Sequence, residues 1–217
     1  MEDKNIAVCF ALAEESGPFK KLCGDKIHTF LTGIGRENAT RTTREFLAGH
    51  TPSLLITCGF AGGLIAELRV GDVVFETRSD SGSDDFYAAI RSKLIAAGAR
   101  EAKIFCADRI ATTAADKRKL RDETRADVAE MESGAVHDVC AGRGIRCLTV
   151  RVISDTATED LPLDFNQFFT EDMRMDMGKL MLAVAKAPWK MGALMQLQQN
   201  TKLAAQRLAD VLEKIIV

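Results

Sequence analysis

Residues 147–155 read CLTVRVISD, and this stretch decides what kind of fold the chain builds. Its apolar and β-branched residues follow one another without alternating with polar ones. Such a run belongs to a strand covered on both faces. The one misfit is Arg151, which needs an acid to pair with inside a buried strand; we read that pairing as structural. The strand ends in Ser154 and Asp155, and an aspartate at a strand end is, on residue type alone, a turn or helix cap.

Outward from this strand the same alternation repeats. IAVCFALA (6–13), HTFLTGIG (28–35), LLITCGFAGGL (54–64), DVVFET (72–77) and AKIFCAD (102–108) read as further strands. Between them lie helical stretches. One covers 36–50 and is closed by Gly49; one covers 83–98, with Ser83 as cap and Phe86, Ile90 and Leu94 recurring every four residues. A charged surface helix is expected at about 114–125, and another after ADVAEMES carries Val136, Val139 and Cys140 on one face. From about 175 the pattern is helical to the end, broken at Pro188, with Leu194, Leu197, Leu208 and Leu212 as its stripe. Strands alternating with helices give an α/β sheet covered on both faces. Its ligands gather where strands end and glycine loops begin. Those ends are 13–16, 32–36, 58–63, 107–113, 130–133 and 154–158, and the unusual polar residues cluster there.

The chain has 217 residues, 47% hydrophobic and 28% charged, with a net charge of −2. No linker divides it, so one domain (1–217) with a C-terminal helical segment (175–217) is expected. A basic nucleic-acid footprint is missing, and so is an apolar run of about 18 residues for membrane insertion. No leader-like segment opens the chain, which points to the cytoplasm. Six scattered cysteines form no C-x-x-C pair, and none of the three histidines is four residues from another. A disulfide framework or a metal site has little to stand on.

Several stretches carry chemistry under one reading and simple geometry under another. TGIGR (32–36) resembles a dinucleotide fingerprint, but Asn38 stands where the third glycine belongs. It serves equally as a tight turn or as an anion site at a helix N-terminus, with Gly35 and Arg36 the phosphate candidates. CGFAGGL (58–64) allows close approach of a flat ligand to the backbone, or is a plain turn. Glu14 and Glu15 suit a helix first turn. No G-x-S-x-G elbow supports a serine hydrolase.

FALAEES (10–16), TGIGRENA (32–39), TCGFAGGL (57–64), VGDVV (70–74), VAEMES (128–133) and VRVISDTA (150–157) together resemble the nucleoside phosphorylase superfamily. This includes purine nucleoside phosphorylases and methylthioadenosine/S-adenosylhomocysteine nucleosidases. The match runs from about 5 to 165; APWKMGAL and the Leu-Pro after ISDTATED are similar to the hopanoid-associated phosphorylases. The resemblance implies a three-layer α/β/α fold with a central mixed, largely parallel sheet. It also implies a homo-oligomer, no cofactor, and cleavage of the N-glycosidic bond of an adenosine-, methylthioadenosine- or S-adenosylhomocysteine-like nucleoside.

By the same resemblance Asp155 is the acid that protonates the leaving base, with Ser154 beside it. Glu132 grips the ribose hydroxyls, Met131 lies against the sugar, and Glu15 activates water. Gly59, Phe60 and Ile110 fall at base- and sugar-contacting positions, while Glu130 has a supporting place. The family's phosphorylases typically carry Arg-x-Gly-Ser on the third strand to hold inorganic phosphate as co-substrate. Here that stretch is Thr57-Cys58-Gly59-Phe60, with Arg36 the one cation placed to compensate. Hydrolysis is therefore expected ahead of phosphorolysis, with a non-catalytic nucleoside-binding protein third. No aromatic residue to stack on the base is evident after 102–108.

Overall fold

The structure is a computed structural model that describes residues 5–77, 85–170 and 172–216. Its strands are β1 (Ile6–Phe10), β2 (His28–Leu31), β3 (Leu54–Gly63), β4 (Val73–Glu76), β5 (Arg100–Glu101), β6 (Ile104–Cys106), β7 (Val128–Glu130) and β8 (Arg146–Asp155). The helices are α1 (Ala13–Cys23), α2 (Arg36–Gly49), α3 (Asp85–Ala96), α4 (Ala114–Thr124), α5 (Ser133–Ala141), α6 (Met177–Lys186) and α7 (Met191–Ile216). The Ser83 cap expected for α3 lies outside the described residues. The first strand is shorter than its apolar run, because Leu12 becomes the N-cap of α1 and Ala13 enters the helix.

The sheet runs β2-β1-β3-β8-β4-β5, with β7 joined to β3 and β6 to β7. β1, β2, β3 and β8 are mutually parallel neighbours, whereas β4 meets β8 and β7 meets β3 antiparallel. The sheet is thus mixed but largely parallel. CLTVRVISD is its centre, buried on both faces from Cys147 to Ser154.

Side chains alternate across the pleat and each face receives its own helices. Val8, Phe10, Ile56, Phe75 and Val150 face Phe19 of α1, Leu94 of α3 and Leu208 and Leu212 of α7. Ala7, Cys9, Leu55 and Cys147 face Leu47 of α2 and Val136 and Val139 of α5. These are three layers, helix on sheet on helix. The N-terminal half of the C-terminal segment stands apart from this packing. Met181, Leu182, Trp189 and Met195 are exposed, and α6 buries none of its residues. Among the described residues no helix is long and apolar enough to cross a membrane.

One irregularity positions chemistry. Along β3 and β8, Ala61 pairs with Ile153 but Gly62 pairs with Asp155, so Ser154 is an extra residue in the ladder. A bulge of this kind re-aims the side chains around it. Ser154 and Asp155 both line the same cavity as a result.

Candidate active site

That cavity, of about 350 Å³, lies at the C-terminal ends of β1, β3 and β8. Its wall is mainly apolar, and Glu15, Glu132 and Asp155 all reach it. Residues separated by up to 140 positions in the chain are brought there by strand order alone.

Glu15 stands in the first turn of α1. One carboxylate oxygen accepts the backbone N–H groups of Ala11 and Leu12 at 2.8 and 2.9 Å; the other accepts that of Phe60 at 2.8 Å. The helix-start reading of the acidic pair is therefore right for its position. It misses that Glu15 turns inward and is buried. Burial pushes its carboxyl above the usual carboxylate range, and the three N–H bonds and the Arg151 charge only partly offset that. Gly59 lies directly beneath this carboxylate and is not itself part of the cavity wall.

Glu132 is the N-cap of α5, and its Oε1 accepts the Gly35 N–H at 2.8 Å. Burial first, then repulsion from Glu130, raises its carboxyl to about 7. Met131 beside it is buried and lines the cavity, as do Phe60 and Ile110. Glu130 is of another kind. It takes Arg151 Nε at 3.1 Å and Nη2 at 2.5 Å, together with the Ser133 hydroxyl at 2.6 Å. Both partners of this ion pair are shut away from solvent. Burial alone would raise the Glu130 carboxyl, but the guanidinium outweighs it and holds the group below its ordinary value. Arg151 also donates to Thr57 Oγ1 at 3.2 Å. The acid expected to pair with Arg151 is thus the first glutamate of EMES.

Gly35 and Arg36 stand outside the cavity wall. The Gly35 N–H is taken by Glu132, and Arg36 points to Asp138 at 3.8 Å from a half-exposed position.

Asp155 has both carboxylate oxygens engaged. Oδ1 accepts the Ser154 hydroxyl at 2.7 Å, and Oδ2 lies 2.6 Å from the Lys117 ammonium. Lys117 belongs to the charged helix read from the sequence as a surface element, yet it is only 1% exposed. Charge density along α4 concealed this, because the pattern of charges says nothing about which one faces inward. Also absent from the sequence reading are Leu161, Phe165, Phe169, Met175 and Leu197, which complete the apolar wall. Phe165 and Phe169 are aromatic residues of this wall, and they come from FNQFF (165–169) in the segment following β8. Asn166 between them accepts from the Ile110 N–H at 2.9 Å and donates to the Ile110 carbonyl at 3.0 Å, tying the two walls together.

Comparison with known proteins agrees with the fold. The phosphorylase superfamily profile matches residues 19–92 and 89–186. The chain is 25% identical over 178 residues to the 5′-methylthioadenosine/S-adenosylhomocysteine nucleosidase of Shewanella halifaxensis, covering 70% of this chain and 77% of that one. It is equally 25% identical over 187 residues to the nucleosidase of the same name from Halalkalibacterium halodurans, covering 74% and 80%. Among solved structures, a Helicobacter pylori nucleosidase mutant with 5′-methylthioadenosine in its active site superposes with a TM-score of 0.72 at 19% identity, over 100% and 99% of the two chains. Futalosine hydrolase of the same organism superposes with a TM-score of 0.70 at 19% identity, over 97% and 96%. Strand order, the order of the motifs and a profile match over most of its length make this chain a member of the phosphorylase superfamily.

Proposed function

We propose that the chain hydrolyses the N-glycosidic bond of a purine nucleoside of the adenosine, methylthioadenosine or S-adenosylhomocysteine kind. The observation that carries this reading is the convergence of three buried or nearly buried carboxylates, Glu15, Glu132 and Asp155, on one apolar cavity. Breaking this bond makes the sugar cationic and the base electron-rich, so it needs a nucleophile at the sugar and a proton at the base. Glu15, its affinity for protons raised by burial, is placed to take a proton from the attacking water. Glu132 accepts the ribose hydroxyls, with Met131 against the sugar, and Asp155 protonates the departing base. So written, the reaction uses no cofactor. The nucleosidase names of the curated relatives support the same assignment.

Water is favoured over phosphate by what surrounds the cavity. The Gly35 N–H is occupied by Glu132, the Thr57 hydroxyl by Arg151, and Arg36 lies outside the wall. A phosphate dianion would also sit close to two acidic side chains. The test is a panel of purine nucleosides turned over with and without inorganic phosphate. Free ribose formed without phosphate is the expected product; strict phosphate dependence with ribose 1-phosphate overturns hydrolysis.

A further inference from the structure

Lys117 is a buried charged residue of the cavity wall that the proposed chemistry has not used. Lysine is almost never fully buried unless paired, since desolvating an ammonium costs several kcal/mol. Here the structure builds a socket for it. The N-cap Thr113 starts α4, its hydroxyl bonding Asp116, which sets Lys117 at the inner side of the first turn. The segment after β8 then folds over it. Thr156 and Glu159 close a turn on each other through a 2.7 Å side-chain bond, and both present their carbonyls to Nζ, at 2.6 and 2.9 Å. Ala114 N–H to Asp160 and Leu161 N–H to the Thr112 carbonyl lock the two segments together.

Nζ therefore has three acceptors: the Thr156 and Glu159 carbonyls and Asp155 Oδ2. Three acceptors match the three donors of an ammonium. Asp155 accepts the Ser154 hydroxyl on Oδ1 and faces the Lys117 ammonium with Oδ2, so both its oxygens are engaged as acceptors. An acid catalyst in this place needs a supply.

We propose that Lys117 is the positioning residue for Asp155 and the source of the proton that Asp155 delivers to the base. The inference rests on the hydrolytic reading of the same cavity. As the C–N bond breaks, its electron pair moves onto the base. The Lys117 Nζ proton passes to Asp155 Oδ2, and the carboxyl so formed gives a proton to the base. Asp155 returns to carboxylate and Lys117 is left a neutral amine. The water oxygen bonds to the anomeric carbon and its proton goes to Glu15. Release of that proton from Glu15 to solvent and uptake of one by Lys117 complete the cycle.

The experiment compares wild type, Lys117→Met, Asp155→Asn and the double variant on 5′-methylthioadenosine or whichever purine nucleoside the wild type cleaves. Lys117→Met should lose about 10²–10⁴-fold in kcat, as Asp155→Asn does, with KM changed by no more than a few-fold. Because the two act as one unit, the double variant should fall within about threefold of Asp155→Asn alone. A kcat that multiplies the two single losses overturns the proposal, since it shows that Lys117 does not act through Asp155. Wild-type kcat in Lys117→Met overturns it as well. Should Lys117→Met fail to fold with Asp155 unpaired, Asp155→Asn against the double variant still decides. Wild-type activity in Asp155→Asn, or no nucleoside cleavage by the wild type, rejects instead the functional reading beneath it.

Discussion

A Cβ added to Gly59 would lie 2.7 Å from Oε1 of Glu15, closer than real contacts allow. The carboxylate rests on bare backbone, and its three N–H partners hold it there. Gly59→Ala should therefore displace Glu15 and cost roughly 10²-fold in kcat, the scale of an ångström misplacement of a catalytic group. Steady-state kinetics with the melting temperature measured alongside check this. A variant with full turnover removes Glu15 from the mechanism.

Asp155 separates two effects in two substitutions. Asp155→Asn keeps oxygen and nitrogen near Ser154 and Lys117 but carries no transferable carboxyl proton, so kcat should drop about 10²–10⁴-fold. Both variants leave the Lys117 ammonium buried without its counter-charge; Asp155→Ala also removes the oxygen that lies 2.6 Å from Nζ and should lose about 1–3 kcal/mol more. Urea unfolding of both variants reads the difference; equal stability contradicts a close contact with Nζ.

Glu132 gives a pH dependence with a definite sign. Its carboxyl lies at about 7 in the folded chain against an ordinary 4.5. Between those values the folded protein keeps a proton that the unfolded chain has released, so this group makes stability fall as pH rises through the window. Buried Glu15 acts in the same direction, while Glu130, shifted down, stabilises above its ordinary value and loses that contribution in acid. Glu132→Gln removes only the first of these. Its stability relative to wild type should increase from about pH 4.5 to 7 and then level off. A difference that stays flat across that range rejects the assignment.

Replacing Arg151 by Met should cost about 3–5 kcal/mol, because Glu130 is then a buried charge without a partner. Denaturant unfolding measures it. A cost below 1 kcal/mol would mean that Glu130 takes up a proton without difficulty and the pair is not what holds the EMES turn.

The sequence shows the sheet well because burial on both faces leaves a plain mark, an unbroken β-rich run such as CLTVRVISD. The carboxylates are legible too, since Glu15, Glu132 and Asp155 stand at strand ends or helix starts beside those runs. Two features are not. Lys117 is one of seven charged residues in α4, and only the turn at Thr156–Glu159, about forty residues on, marks it out. The bulge at Ser154 depends on register against Gly62, which no local pattern encodes. That Phe165 and Phe169 line the cavity is hidden for a similar reason: a sequence says what residues are, while the crossing of segments decides what they meet.

Four of the five acidic residues in the cavity wall fall into two classes for anyone who wishes to re-tailor it. Glu15 and Glu132 are held by main-chain N–H groups, so a neutral amide can replace either without stranding a positive charge. Glu130 and Asp155 each face a buried cation, and changing one obliges a matching change in Arg151 or Lys117. Libraries that vary positions 15 and 132 singly should return folded proteins, whereas 130 with 151, and 155 with 117, have to be varied as couples.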